Sequence, residues 1–120
     1  MDTNNPIIKL CIAGTQAEFD GNIEAACKLY RQAWATSTDD YEACIAAHYL
    51  ARCQKSPEDI LHWNQTALER AQAVDNELVK DFYPSLYLNM GRSYEHLGNK
   101  AKAEKYYSLA AKLGVTHQPE

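Results

Sequence analysis

The chain writes Gly-Asn-x-x-x-Ala twice, as GNIEAA at residues 21–26 and as GNKAKA at residues 98–103, 77 positions later. Each copy reads as the joint between two helices. Glycine takes the left-handed conformation that ends a helix at little cost, and the Asn after it caps the helix that follows. In step before the two joints stand Gly14 and Gly91. Beyond them, also in step, come Ala26 and Ala103, Tyr30 and Tyr107, Ala33 and Ala110. A register kept over that many positions marks a repeated helix–turn–helix unit, with a glycine in its first helix and Ala-x3-Tyr-x2-Ala in its second.

The rest of the chain divides by the same starts and stops. Asn5-Pro6 opens a helix, with Leu10, Ala13, Gly14 and Ala17 expected on its inward face. The helix after Asn22 turns Ile23, Ala26, Cys27, Tyr30, Ala33 and Trp34 inward, and Thr36 to Asp40 form a turn rich in caps. A third helix runs from about Asp40 to Cys53, with Ala43, Ala46, Ala47 and Leu50 inside. Ser56-Pro57-Glu58-Asp59 starts a fourth that buries Ile60, Leu61, Ala67, Leu68 and Ala71. Residues 75–83 add a turn or two before Pro84. A fifth helix carries Leu86, Tyr87, Met90, Gly91 and Tyr94 up to Gly98, and a sixth carries Ala103, Tyr107, Ala110 and Leu113 up to Gly114. No stretch alternates as a strand does. The expectation is an all-α chain forming one domain over residues 1–120.

Bulk properties narrow the function classes. The net charge of −4 argues against nucleic acid as the main partner. The charge is uneven: residues 1–79 carry 6 Lys and Arg against 12 Asp and Glu, and residues 80–120 carry 6 against 4. The N-terminal MDTNNPIIKL has no basic region before an apolar run, so it does not read as a signal peptide, and no apolar run is long enough to span a membrane. Cys11, Cys27, Cys44 and Cys53 form no C-x-x-C pair and fall within helical patterns, which suggests small buried thiols in a reducing cytoplasm. The Met1 start and the Thr116 to Glu120 end suggest a complete short protein.

Tyr87-x2-Met90-Gly91-x2-Tyr94, followed by Ala103-x3-Tyr107, resembles the tetratricopeptide repeat, whose pattern is a large residue, then L-G-x2-Y, then A-x3-F in about 34 residues. The resemblance is strongest over 84–117, good over 7–39 and weakest between them, where Ala47 stands at the glycine position and the turn at Gln54 to Pro57 lacks Gly. It implies three repeats, at 7–39, 40–74 and 84–117, with an extension at 75–83, stacked as helical hairpins in a right-handed superhelix. In this reading Gly14 faces Ala26 and Gly91 faces Ala103, so that paired helices approach closely, while Tyr30 and Tyr107 fill the space between hairpins.

The resemblance also implies a non-enzymatic scaffold that binds a protein or peptide in a concave groove. Carried over by position, the groove residues are Cys11, Thr15, Tyr41, Cys44, His48, Arg52, Leu88, Arg92 and Glu95, flanked by Ile8, Glu18 and Ser85. Arg52 and Arg92 are suited to ligand carboxylates, unless Glu18 or Glu95 takes them first, and Tyr41 to an aromatic anchor. The subgroup that clamps chaperone C-termini uses Lys, Asn and Arg. The matching positions here are Cys11, Thr15, Ile45, Ser85 and Asn89, which do not fit that pattern.

Two other classes are open. Tyr106, Leu109 and Leu113 could give the last helix an apolar stripe for a homodimer. Cys11, Cys44 and His48 could approach as metal ligands, or Cys44 and His48 as a thiol pair, although neither arrangement has a full ligand set or an orienting acid. Walker, dinucleotide, zincin and serine-elbow motifs are absent, and no cofactor is expected. His62, His96 and His117 read as surface residues, and Phe82 and Tyr83 as either a local core at the extension or an exposed edge.

Overall fold

The computed structural model describes residues 3–114, and His117 and the end beyond Gly114 lie outside them. Six long helices carry the described chain: α1 (Pro6–Phe19), α2 (Ile23–Thr36), α3 (Asp40–Leu50), α4 (Pro57–Gln72), α6 (Tyr83–His96) and α7 (Lys100–Lys112). Between α4 and α6 lie the four-residue α5 (Asn76–Val79) and a 3₁₀ turn, Lys80–Phe82. The described residues contain no strand, and none of their helices is long and apolar enough to cross a membrane.

The helix starts are capped as the sequence leads one to expect. Asn5 Oδ1 accepts from the Ile7 and Ile8 amides, at 2.8 and 3.2 Å. Asp39 accepts from Glu42 N at 2.8 Å, and Ser56 from Asp59 N at 3.1 Å. The two Gly-Asn joints agree bond for bond. Gly21 and Gly98 have φ of 81° and 79°. Each glycine amide donates to the carbonyl three residues back, from Gly21 to Glu18 and from Gly98 to Glu95, both at 3.0 Å. Asn22 and Asn99 then accept from the Ala25 and Lys102 amides, both at 3.2 Å.

The helices pair as hairpins α1–α2, α3–α4 and α6–α7, and the outer two pack on the middle one through α2–α3, α1–α3 and α4–α6 contacts. The result is a slab of 36 × 32 × 20 Å. One core cluster joins Ile7, Ile8, Cys11, Ala26, Tyr30 and Ala33 to Ile45, Ala46 and Leu50. A second joins Cys44, Ala47, Ala67, Leu68 and Ala71 to Val79, Leu86 and Met90. Val79, fully buried, pins the extension, and Phe82 and Tyr83 are half-buried against the clusters.

Several expectations change. The buried stripe of α1 is Ile7, Ile8, Cys11 and Gly14; Leu10 and Ala17 are only half-buried, and Ala13 is exposed. Ile8 and Cys11, expected on the groove wall, are core because α3 as well as α2 packs on α1. Ile23, at the first position of α2, and Leu113, just past α7, are exposed rather than inward. The α-helical part of the third helix stops at Leu50, and Ala51–Cys53 form a tighter 3₁₀ turn.

The glycines receive tyrosine rings. A methyl group on Gly14 would overlap the Tyr30 ring, and one on Gly91 would lie 2.5 Å from Tyr107 Cε1; the alanines are not the nearest atoms in either place. The four cysteines are not all thiols. Cys27 of α2 and Cys53 of the 3₁₀ turn form a disulfide across the first two hairpins, with Cα atoms 5.6 Å apart, and only Cys11 and Cys44 remain free.

Candidate functional site

Polar side chains from three helices meet where α3, α4 and α6 come together. A cleft of 340 Å³ opens there, walled by His48, Arg52, Asn64, Asn89, Arg92 and Ser93 among others. Its floor is built from a buried polar pair. Asn64 of α4 is only 6% exposed. Its amide donates to Ser93 Oγ at 2.8 Å and reaches the Asn89 carbonyl at 3.5 Å, tying α4 to α6. Asn89 Nδ2 lies 3.4 Å from His48 Nδ1, which brings α3 into the same network. Burial, helped by the Arg52 charge, holds the His48 imidazole below the ordinary histidine range, so it is neutral at pH 7.

The two arginines of the wall differ. Arg52 is held by Glu18: its Nη2 donates to Oε2 at 2.7 Å and its Nε to Oε1 at 3.0 Å. The Tyr30 hydroxyl donates to the same carboxylate at 2.6 Å. Arg52's hydrogen bond is the main cause that keeps the Glu18 carboxyl below the usual range, with Tyr30's bond adding to it. Arg92 is exposed and has no ion-pair partner among the described residues. Among the described residues its guanidinium is a cation of the cleft with no ion pair.

Of the nine groove residues read from the sequence, the structure brings His48, Arg52, Leu88 and Arg92 together in this cleft. Thr15 lines a neighbouring hollow of 290 Å³ with Ile12, Gln16, Phe19 and Tyr49. Cys11 and Cys44 do not reach the surface, at 1% and 2% exposure, and lie beneath the wall as core. Tyr41 is half-buried against both core clusters, and Glu95 is exposed outside the cleft. Asn64, Asn89, Ser93 and His96 were not among the groove residues chosen from the sequence, yet all four line the cleft. For Asn64 a signal existed: it is a polar residue on the inward side of α4, between Ile60 and Ala67.

Burial pushes the Cys44 thiol up to about 12, so it stays protonated at neutral pH, and the His48 ring nitrogen faces an amide. Among the described residues, no three His, Cys, Asp or Glu side chains converge as metal ligands do. In comparisons with protein-family models, curated proteins and solved structures, nothing matches the chain.

Proposed function

We propose that the chain is a non-enzymatic binding module of the tetratricopeptide type, its hairpins stacked in a right-handed superhelix, and that the α3–α4–α6 cleft takes an acidic group of a protein or peptide partner. Support for the repeat reading comes from the two Gly-Asn joints with matching hydrogen bonds, and from the glycine–tyrosine seats at Gly14 and Gly91.

The observation that carries the ligand reading is Arg92. An arginine on the wall of a cleft, in no ion pair among the described residues, offers a planar fork of donors to a ligand carboxylate. Asn89 and Ser85 add neutral donors in the same wall, which suits an anion that must be oriented as well as neutralised. Arg52, already satisfied by Glu18, fixes the edge of the cleft.

A display selection from random peptides tests this reading. Sequences rich in Asp and Glu are expected, with binding lost in Arg92→Gln and largely kept in Arg52→Gln. Selection of neutral peptides, or equal binding by Arg92→Gln, would overturn it. A chaperone C-terminal peptide is expected to show no saturable binding, because Cys11 and Ile45, at two of the five clamp positions, are buried.

A further inference from the structure

The first and last hairpins carry exposed apolar surfaces flanked by charges of opposite sign. The turn joining α1 to α2 presents Phe19, 88% exposed, and on its other side Ile23, 53% exposed. Asp20 and Glu24 stand beside them, both exposed and neither in an ion pair among the described residues. A phenylalanine left in water beside a large aliphatic residue forms an apolar patch that an interface can cover. The turn is an apolar knob with an acidic collar.

At the other end of the stack, where α7 meets the start of α6 and the end of α4, lies a cleft of 410 Å³. Tyr83, Tyr87, Leu109 and Leu113 give it apolar walls, Lys80 and Lys112 stand at it, and no carboxylate lines it among the described residues. The tyrosines continue as a ladder, with ring centroids 5.6 Å apart from Tyr83 to Tyr87 and 6.2 Å from Tyr87 to Tyr106. This is an aromatic seat with a cationic rim, the complement of the knob in both polarity and charge. The larger imbalance points the same way: residues 1–79 carry twice as many acids as bases, and residues 80–120 an excess of bases.

We infer that the α1–α2 turn of one copy docks in the α4–α6–α7 cleft of a second copy, with Phe19 seated against Tyr83 and Tyr87 and the Asp20–Glu24 collar facing Lys80 and Lys112. The knob of the same molecule does not fill the cleft, because Phe19 is open to water. Seating one phenylalanine removes about 150–250 Å² of surface from water, and the charges add orientation and salt sensitivity. Since knob and cleft are different surfaces, the contact is heterologous and joins copies head to tail. It leaves Arg92 and its cleft untouched, so this association and peptide binding stand or fall separately.

Complementation of two defective variants tests it. By sedimentation equilibrium, the mass is expected to rise above 13.5 kDa as concentration increases and to fall back in molar salt. Phe19→Ser removes the knob and keeps the cleft; Lys112→Glu does the reverse. Each alone is expected to weaken association by about tenfold or more, while an equimolar mixture forms a dimer and stops there, because only one intact knob–cleft pair exists. Both substitutions are at exposed positions, and an unchanged helical circular dichroism spectrum confirms folding. Glu24→Lys and Lys80→Glu repeat the complementation from the charged side. A wild-type mass of 13.5 kDa at every concentration, full association by the single variants, or a mixture that stays monomeric would each overturn the inference.

Discussion

The smallest side chains set the tightest tolerances here. Gly91 and Gly98 lie seven residues apart and serve opposite purposes. A methyl on Gly91 meets Tyr107 Cε1 at 2.5 Å, whereas one on Gly98 meets nothing within 4 Å but must adopt a φ of 79°. Gly91→Ala is expected to lose about 1–3 kcal/mol by overpacking, and Gly98→Ala about 1–2 kcal/mol by backbone strain alone. Urea denaturation separates the causes: Tyr107→Leu should recover part of the first loss and none of the second. If the double variant of Gly91 and Tyr107 behaves additively, the ring is not what the glycine accommodates. Titration follows from the same local contacts. Arg52 and Tyr30 lower the Glu18 pKa from 4.5, so their stabilisation is present above 4.5 and is lost as pH falls through the lowered folded value. Glu18→Gln should therefore flatten the stability profile below pH 4.5, a slope readable from urea midpoints. Cys11 and Cys44 act at the other limb. Burial raises both from 9.0 to about 12, so the stability tied to their protonated forms is present below pH 9 and is lost as pH climbs toward 12.

Among the elements, the 3₁₀ turn Ala51–Cys53 has the most consequence for its size. It replaces the last turn of α3, sets Arg52 over Glu18, and carries Cys53 to Cys27 of α2. The bridge closes a span of 26 residues between the first two hairpins. Reduction, or Cys53→Ser, is expected to cost about 2–4 kcal/mol, measured as a lower urea midpoint. Thiol titration of the unfolded, unreduced chain should find two free thiols, and four would show that the bridge does not form. None of this was legible in the sequence. Helix starts were, because Asn5, Asn22, Asp39, Ser56 and Asn99 act on amides two or three residues away, and local chemistry is written locally. Which cysteines meet depends on how hairpins stack, and spacing within one helix does not contain that. The candidate cleft divides on the same line. Arg92 and His48 could be placed by the register carried over from the resemblance, but Cys11 and Cys44 share that register and are core, since α1 turns Cys11 toward the second hairpin and α3 turns Cys44 toward α4, the extension and α6. Asn64 went unread as a site residue because its partners, Ser93 and Asn89, are contributed by a helix beyond the inserted extension.

Across the whole molecule the three hairpins are joined unequally. The first and second share a disulfide, the Glu18–Arg52 fork, the Asn5–Glu42 bond and the Tyr30–Tyr49 ring contact at 5.3 Å. The second and third are held mainly by α4 against α6, the Asn64–Ser93 bond and the packing of Val79. Stacked hairpins contact only their neighbours, so each joint's strength governs how the end beyond it opens. The α6–α7 hairpin should open more readily than the rest, giving faster amide hydrogen exchange in α7 than in α2 or α3. Reducing the bridge should narrow that difference from the other side, by raising exchange in α1 and α2 while leaving α7 nearly unchanged. The prediction reaches function through Arg92 and Ser93 of α6, which sit on the weaker joint. A ligand that neutralises Arg92 while touching His48 and Arg52 would span both hairpins, and so should slow exchange in α6 and α7 more than in α2. Exchange in α7 as slow as in α3, in the oxidised chain without ligand, would mean that the joints are equal and that the last hairpin does not open independently.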